Sequence, residues 1–156
     1  MSTTTTTTTT TASGAVTTNG AVTTNGATAG STLELVERAR ASLLEACLSR
    51  AVTDRYLQSR LAALRAAAAL VSARAAAPVD PGPRNLWDLL PAVAPELTEW
   101  AAFFDAAGRR LDAGPTAREA DDLLRQAETF VDLVCRALGL PIAPPHDAVL
   151  VPTAWA

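Results

Sequence analysis

From Leu33 to Leu138, apolar side chains return every three or four positions, the period of helices that each bury one face. Leu33, Val36, Leu43, Leu44, Cys47 and Leu48 make the first stripe and predict a helix over residues 32–50. Tyr56, Leu57, Leu61, Leu64, Ala67, Ala68 and Val71 predict a second, from Thr53 to Ala76, in a segment whose alanine content favours helix. A short helix from Asn85 to Leu90 follows, capped by Asn85 and stopped by Pro91. A fourth starts at Pro95, a residue suited to the first helical position, and presents Leu97, Trp100, Phe103, Phe104, Ala107 and Leu111. The last helix carries Ala120, Leu123, Leu124, Ala127, Val131, Val134 and Leu138, with Cys135 at the margin. No segment alternates with the period of two expected of a strand.

The punctuation agrees. Ser31 with Glu34, and Thr116 with Glu119, read as capping boxes. "PVDPGP" at 78–83 and "DAGP" at 112–115 break the chain, and Gly139 is placed for a left-handed helix end. Helices joined by short links predict an all-α fold, an up-and-down antiparallel bundle of four to five helices over residues 31–140. The flanks differ. Residues 1–30 hold a threonine tract and two tandem copies of "GAVTTN", without charge; they have too little to bury and are expected to be disordered. Residues 141–156, with four prolines, are expected to be extended or mobile.

Composition narrows the functional classes. A net charge of −3 and a pI of 5.1 lack the basic signature usual in nucleic-acid binders. All thirteen cations are arginine, which with the alanine excess reads as the coding bias of a GC-rich genome. No apolar run reaches the ~18 residues of a membrane span, and the N-terminus has neither the charged start nor the apolar stretch of a secretory signal. Two cysteines, Cys47 and Cys135, both fall on apolar stripes and are expected to be buried, reduced thiols. A cytoplasmic protein is the expectation, with no membrane contact. One histidine and two separated cysteines match no metal-ligand spacing, no phosphate-binding glycine loop is present, and no cofactor is expected.

Two arginines interrupt the pattern. Helical winding puts Arg40 at the centre of the first stripe and Arg60 inside the second. An unpaired buried charge is costly. Each therefore snorkels with its head in water, pairs with a buried carboxylate such as Glu96 or Asp121, or faces a cleft or dimer contact. The second helix has an excess of positive charge and the last an excess of negative charge. This reads as complementary helices of one bundle, or as phosphate contacts from the second helix. On the last helix, Arg118–Asp122, Asp121–Arg125 and Asp132–Arg136 have the spacing of surface ion pairs.

The segments "TDRYLQSRLAALRAAAALV", "RNLWDLLPAVAPELTEWAAFF" and "TAREADDLLRQAETFVDLV", in this order, resemble an actinobacterial group of the HEPN superfamily over residues 33–139. The resemblance implies a bundle of four or five helices, often dimeric. Many relatives are metal-independent RNases, several of them toxins paired with antitoxins, and others are non-catalytic binding modules. The RNase members carry an arginine, four to six residues, then a histidine, near the start of the last helix. Arg118 matches the arginine here. The histidine positions hold Leu123, Leu124 and Arg125, and His146 lies beyond the helix. Leucine transfers no proton, and arginine stays protonated. The expectation is therefore a non-catalytic interaction module that forms a homodimer and contacts RNA or a protein partner, with Arg40, Arg60, Arg65, Arg118, Asp122 and Arg125 as candidate contacts and no catalytic residue. The alternatives are a metal-independent RNase built on Arg60, Arg65, Arg118 and Asp122, and the structural half of a heteromeric, toxin–antitoxin-like pair.

Overall fold

A computed structural model describes residues 17–75 and 85–142, with side chains from residue 29 onward. It contains α1 (Thr17–Leu48), α2 (Val52–Arg74), α3 (Leu86–Val93), α4 (Thr98–Arg110) and α5 (Ala117–Ala137), with 3-10 turns at Pro95–Leu97 and Leu111–Ala113. The described residues include no strand. None of their helices is long and apolar enough to cross a membrane.

Cross-links give the direction of each helix. A three-residue turn, 49–51, reverses the chain between α1 and α2. Arg65 of α2 then reaches back to Ser42 Oγ at 2.6 Å and to the Arg38 carbonyl at 3.0 Å. Tyr56, in the second turn of α2, donates to the Ala107 carbonyl near the end of α4 at 2.9 Å, so α4 runs down as α2 runs up. Arg55 pairs with Asp121 near the start of α5, while Arg74 reaches the Ala137 carbonyl at its end, so α2 and α5 are parallel. This is the predicted up-and-down bundle, with α3 as a short lead into α4.

The core has two textures. Along α2, Ala62, Ala63, Ala66, Ala67 and Ala69 are fully buried, as are Ala39 and Ala46 of α1 and Ala120 and Ala127 of α5, the two helices packed against α2. Small side chains let helix axes approach closely. At the α3–α4–α5 side the filling is aromatic. Phe104 and Phe130 are fully buried, 5.2 Å apart by centroids, and Trp87 stacks on Phe104 at 5.5 Å. Trp100, half-buried, closes the cluster against Phe130 at 5.7 Å.

Several expectations need correction. The buried face of α1 is Thr32, Val36, Ala39, Ser42, Leu43 and Ala46, so Leu33, Leu44 and Leu48 of the predicted stripe are exposed, and Cys47 with them. The seam with α2 takes small residues, and the large leucines are turned out of it. Leu57 and Leu64 of α2 are exposed for the same reason, and Phe103 lies outside the aromatic cluster's core, 43% exposed. Pro91 does not stop α3, which continues to Val93, so its missing N–H costs only one bond near the helix end. Helical backbone in α1 begins at Thr17, so Ser31 is inside a helix and is not its cap. A helix already nucleated extends at little cost per residue. Residues 1–16, the predicted break at 78–83 and the Pro-rich tail from 143, with His146 and Trp155, lie outside the described residues.

The ends of α5 form as read. Thr116 Oγ1 accepts from the Glu119 backbone N–H at 3.2 Å, and a Glu119 carboxylate oxygen accepts from the Thr116 N–H at 2.8 Å. At the other end Gly139 takes φ 69°, Leu140 N–H reaches the Cys135 carbonyl at 2.8 Å, and Gly139 N–H reaches Arg136 at 3.0 Å. This paired bonding closes the helix and directs the chain away from it.

Candidate functional site

The arginines singled out in the sequence do not share one site. Arg40 is mostly covered, pairs with Glu37 at 2.8 Å, donates to the Pro141 carbonyl and approaches Cys135 Sγ at 3.6 Å. It clips the middle of α1 to the end of α5. Glu96 and Asp121 are not its partners, since Arg74 pairs with Glu96 at 3.0 Å and Arg55 with Asp121. Arg65 is engaged by the hydrogen bonds to α1 described above. Arg118 and Arg125 are 93% and 72% exposed and flank Asp122 at 3.8 and 3.1 Å on the outer face of α5. The predicted Asp121–Arg125 pair is replaced by Asp122–Arg125, because Asp121 turns inward to Arg55. No Asp132–Arg136 ion pair forms.

Arg60 stands apart. Its guanidinium lies on Gly108 of α4, so closely that a Cβ there would come within 2.6 Å of Nη2. Its Nε is buried without a hydrogen-bond acceptor, and Gln58 Oε1, two residues earlier, is buried without a donor. Both residues border a depression of about 190 Å³ on the outer side of α2, completed by Leu57, Leu61 and Leu64. Alanine content alone predicts that α2 is helical. It does not reveal that the leucines face outward.

A second concavity, about 270 Å³, opens where the start of α2 meets the end of α4 and the start of α5. Tyr56, Ala107 and Leu123 form its floor, Phe103 and Ala106 one wall, and Arg110, Glu119 and Asp122 its rim. Of these, the sequence reading had singled out only Asp122 as a contact. Arg110, which grips Glu119 through Nε at 2.9 Å and Nη2 at 2.5 Å, was missed. No local pattern marks that pair, because it is brought together by the 3-10 turn Leu111–Ala113. The Thr116 N–H, the Arg110 guanidinium and the Thr116 hydroxyl hold the Glu119 carboxyl down to about 2. Burial pushes the Tyr56 phenol up, with the Glu119 charge adding to the effect, and its proton is committed to Ala107. Glu119 is therefore a poor base and Tyr56 a poor acid near neutrality.

The positions where the sequence resemblance would call for a histidine are filled here by packing. Leu123 is 3% exposed, Leu124 is partly buried against the core, and Arg125 points to solvent on its ion pair. Among the described residues no cluster of His, Cys, Asp and Glu could hold a metal ion. Cys135 is a buried thiol whose burial pushes its pKa up, against the pull of Arg40.

Searches of curated proteins and of solved structures give no match. The family model of the SAV-type HEPN domain matches residues 46–135, from the last turn of α1 to the last turn of α5. That span covers α2 through α4 entire, and with it the alanine seam apart from Ala39, the aromatic cluster and both concavities. This chain belongs to the SAV-type HEPN family.

Proposed function

We propose that this chain is a non-catalytic HEPN-type interaction module that self-associates through the outer face of α2. One observation carries the reading. Leu57, Leu61 and Leu64, spaced four and three residues apart, line that face; Leu57 and Leu64 are 39% and 37% exposed, with Arg60 Nε and Gln58 Oε1 buried and unsatisfied beside them. Four-and-three spacing is the seam along which two helices pack. A twofold axis would set the stripe against its own copy.

The charge distribution supports a protein partner over RNA. The positive excess of α2 is engaged by other helices of the same chain, Arg55 with Asp121, Arg65 with α1 and Arg74 with Glu96. The RNase alternative needs Arg60, Arg65, Arg118 and Asp122 together. Arg60 and Arg65 serve the α4 and α1 sides of α2, whereas Arg118 and Asp122 form a surface pair on α5.

Sedimentation equilibrium tests the reading. The expected result is a dimer at micromolar concentration that becomes a monomer in the Leu61→Asp, Leu64→Asp double variant, with its helical circular dichroism retained. A wild-type monomer at the highest soluble concentration would overturn the self-association. Cleavage of end-labelled single-stranded RNA by metal-free protein, lost in Arg118→Ala, would overturn the non-catalytic reading.

A further inference from the structure

We infer that the segment after Ile142, residues 143–156, docks on the apolar outer face of α1, over Leu44, Cys47 and Leu48. This surface is distinct from the α2 face. Winding α1 at 100° per residue gathers Leu33, Glu37, Arg40, Leu44, Cys47 and Leu48 on one side, about 120° from the face that enters the core. Its leucines are 49%, 48% and 68% exposed, so the described residues leave much of each one open. The polar members do not forbid an apolar cover, because Arg40 and Glu37 already pair with each other.

The place where the chain leaves the bundle selects the occupant. Leu140 and Gly139 close α5, and the next carbonyl, that of Pro141, accepts from Arg40 in the middle of this same α1 face. Ile142, the last described residue, is 43% exposed there. The segment therefore starts on the surface it is proposed to cover. Residues 143–156 give a reach of up to ~45–50 Å when extended. Leu48 is eight positions beyond Arg40, only ~12 Å along the helix. Pro144 and Pro145 stiffen the first step, and Val149, Leu150 and Val151 follow at a distance sufficient to reach Leu44 and Leu48. The segment has no arginine and a single carboxylate side chain, Asp147, so its apolar side chains can leave water with little charge to desolvate. Leu44, Cys47 and Leu48 lie within two turns of each other, whereas Leu33 is alone at the other end, which gives the direction of docking.

The exposed Cys47 thiol provides a probe inside the proposed contact, and the buried Cys135 stays unmodified. A nitroxide attached to Cys47 of the full, isotopically labelled chain should broaden the amide resonances of Val149–Trp155 more than those of residues 143–146. Signal loss that simply fades with distance from Ile142 would describe a free tether and overturn the proposal. In the Leu61→Asp, Leu64→Asp background, which removes association through α2, a mixture of spin-labelled and isotopically labelled copies should show no transfer between them. Broadening across copies would mean that a second copy covers the face, and would also overturn it. Without any spin label, Leu150→Asp with Trp155→Ala should speed alkylation of Cys47 several-fold, in proportion to the lost protection. An unchanged rate sinks the idea. Leu61→Asp with Leu64→Asp should leave both results as they are, which separates this contact from self-association through α2.

Discussion

The two halves of the core solve the same packing problem with opposite materials. Between α1, α2 and α5 the seam is alanine, fully buried and thin. Between α3, α4 and α5 it is Trp87, Phe104 and Phe130, with Trp100 at the edge. An alanine seam holds by close approach of whole helices, so that each side chain contributes little and tolerates no growth. An aromatic cluster holds by a few large contacts, each of which is costly to lose. The difference teaches where substitutions should matter and in which direction.

The largest effect is expected from Phe104→Ala, which empties the centre of the aromatic side and should cost ~3–5 kcal/mol in urea unfolding. Trp100→Ala should cost less, because that ring is half-buried; equal losses would mean that the two aromatics share the load evenly. On the alanine side the informative change is an enlargement. Ala66→Leu should cost ~1–3 kcal/mol through overpacking, while Ala68→Leu, at a half-buried position on the outer side of α2, should stay within ~0.5 kcal/mol. A harmless Ala66→Leu would break the comparison, since it would show slack between the helices.

Smaller effects belong to the junction of α4 and α5, which ties the two halves at one end. Thr116→Ala removes the cap of α5 and should cost ~1 kcal/mol by thermal or denaturant unfolding. The same junction has a pH signature. Glu119 is held at about 2 in the folded chain against an ordinary 4.5, so its contribution is present above ~4.5 and is lost as pH falls from there towards 2. The Tm difference between wild type and Glu119→Gln should be constant near neutrality and close over that acid window. A difference that persists at pH 2 would assign the effect to the glutamine's geometry rather than to the carboxylate's charge.

The sequence makes the helices legible because capping and periodicity are local. Thr116 with Glu119, the Gly139 turn and the Asn85 cap to the Trp87 N–H all occur where the residues place them. The orientation of the helices is less legible. Ranking positions by apolar size puts Leu33, Leu44, Leu48, Leu57 and Leu64 inward, yet an alanine seam reverses that ranking, since it admits only what is small. The stripe read for the last helix also leaves out Phe130, which continues the 123–127–130–134 spacing into the centre of the aromatic cluster. For the candidate site, Asp122 was readable as a charged position beside Arg118. The Arg110–Glu119 grip was not, because it depends on how the 3-10 turn Leu111–Ala113 folds back the end of α4. Helical winding alone places Arg60 inside the apolar stripe of α2. Its resting place on Gly108 depends on the packing of α2 against α4, which no local pattern encodes.

The clip between Arg40 and the Pro141 carbonyl has a consequence beyond joining two helices. It fixes the point from which all later residues depart, within a few residues' reach of the leucines of α1. A segment tethered in this way meets its neighbouring surface at an effective concentration of the order of millimolar. Sequences too weak to bind from solution would be substantially bound when attached here. The end of α5 thus acts as a local concentrator, and selection on whatever follows Ile142 can act through contacts far weaker than those of a free ligand.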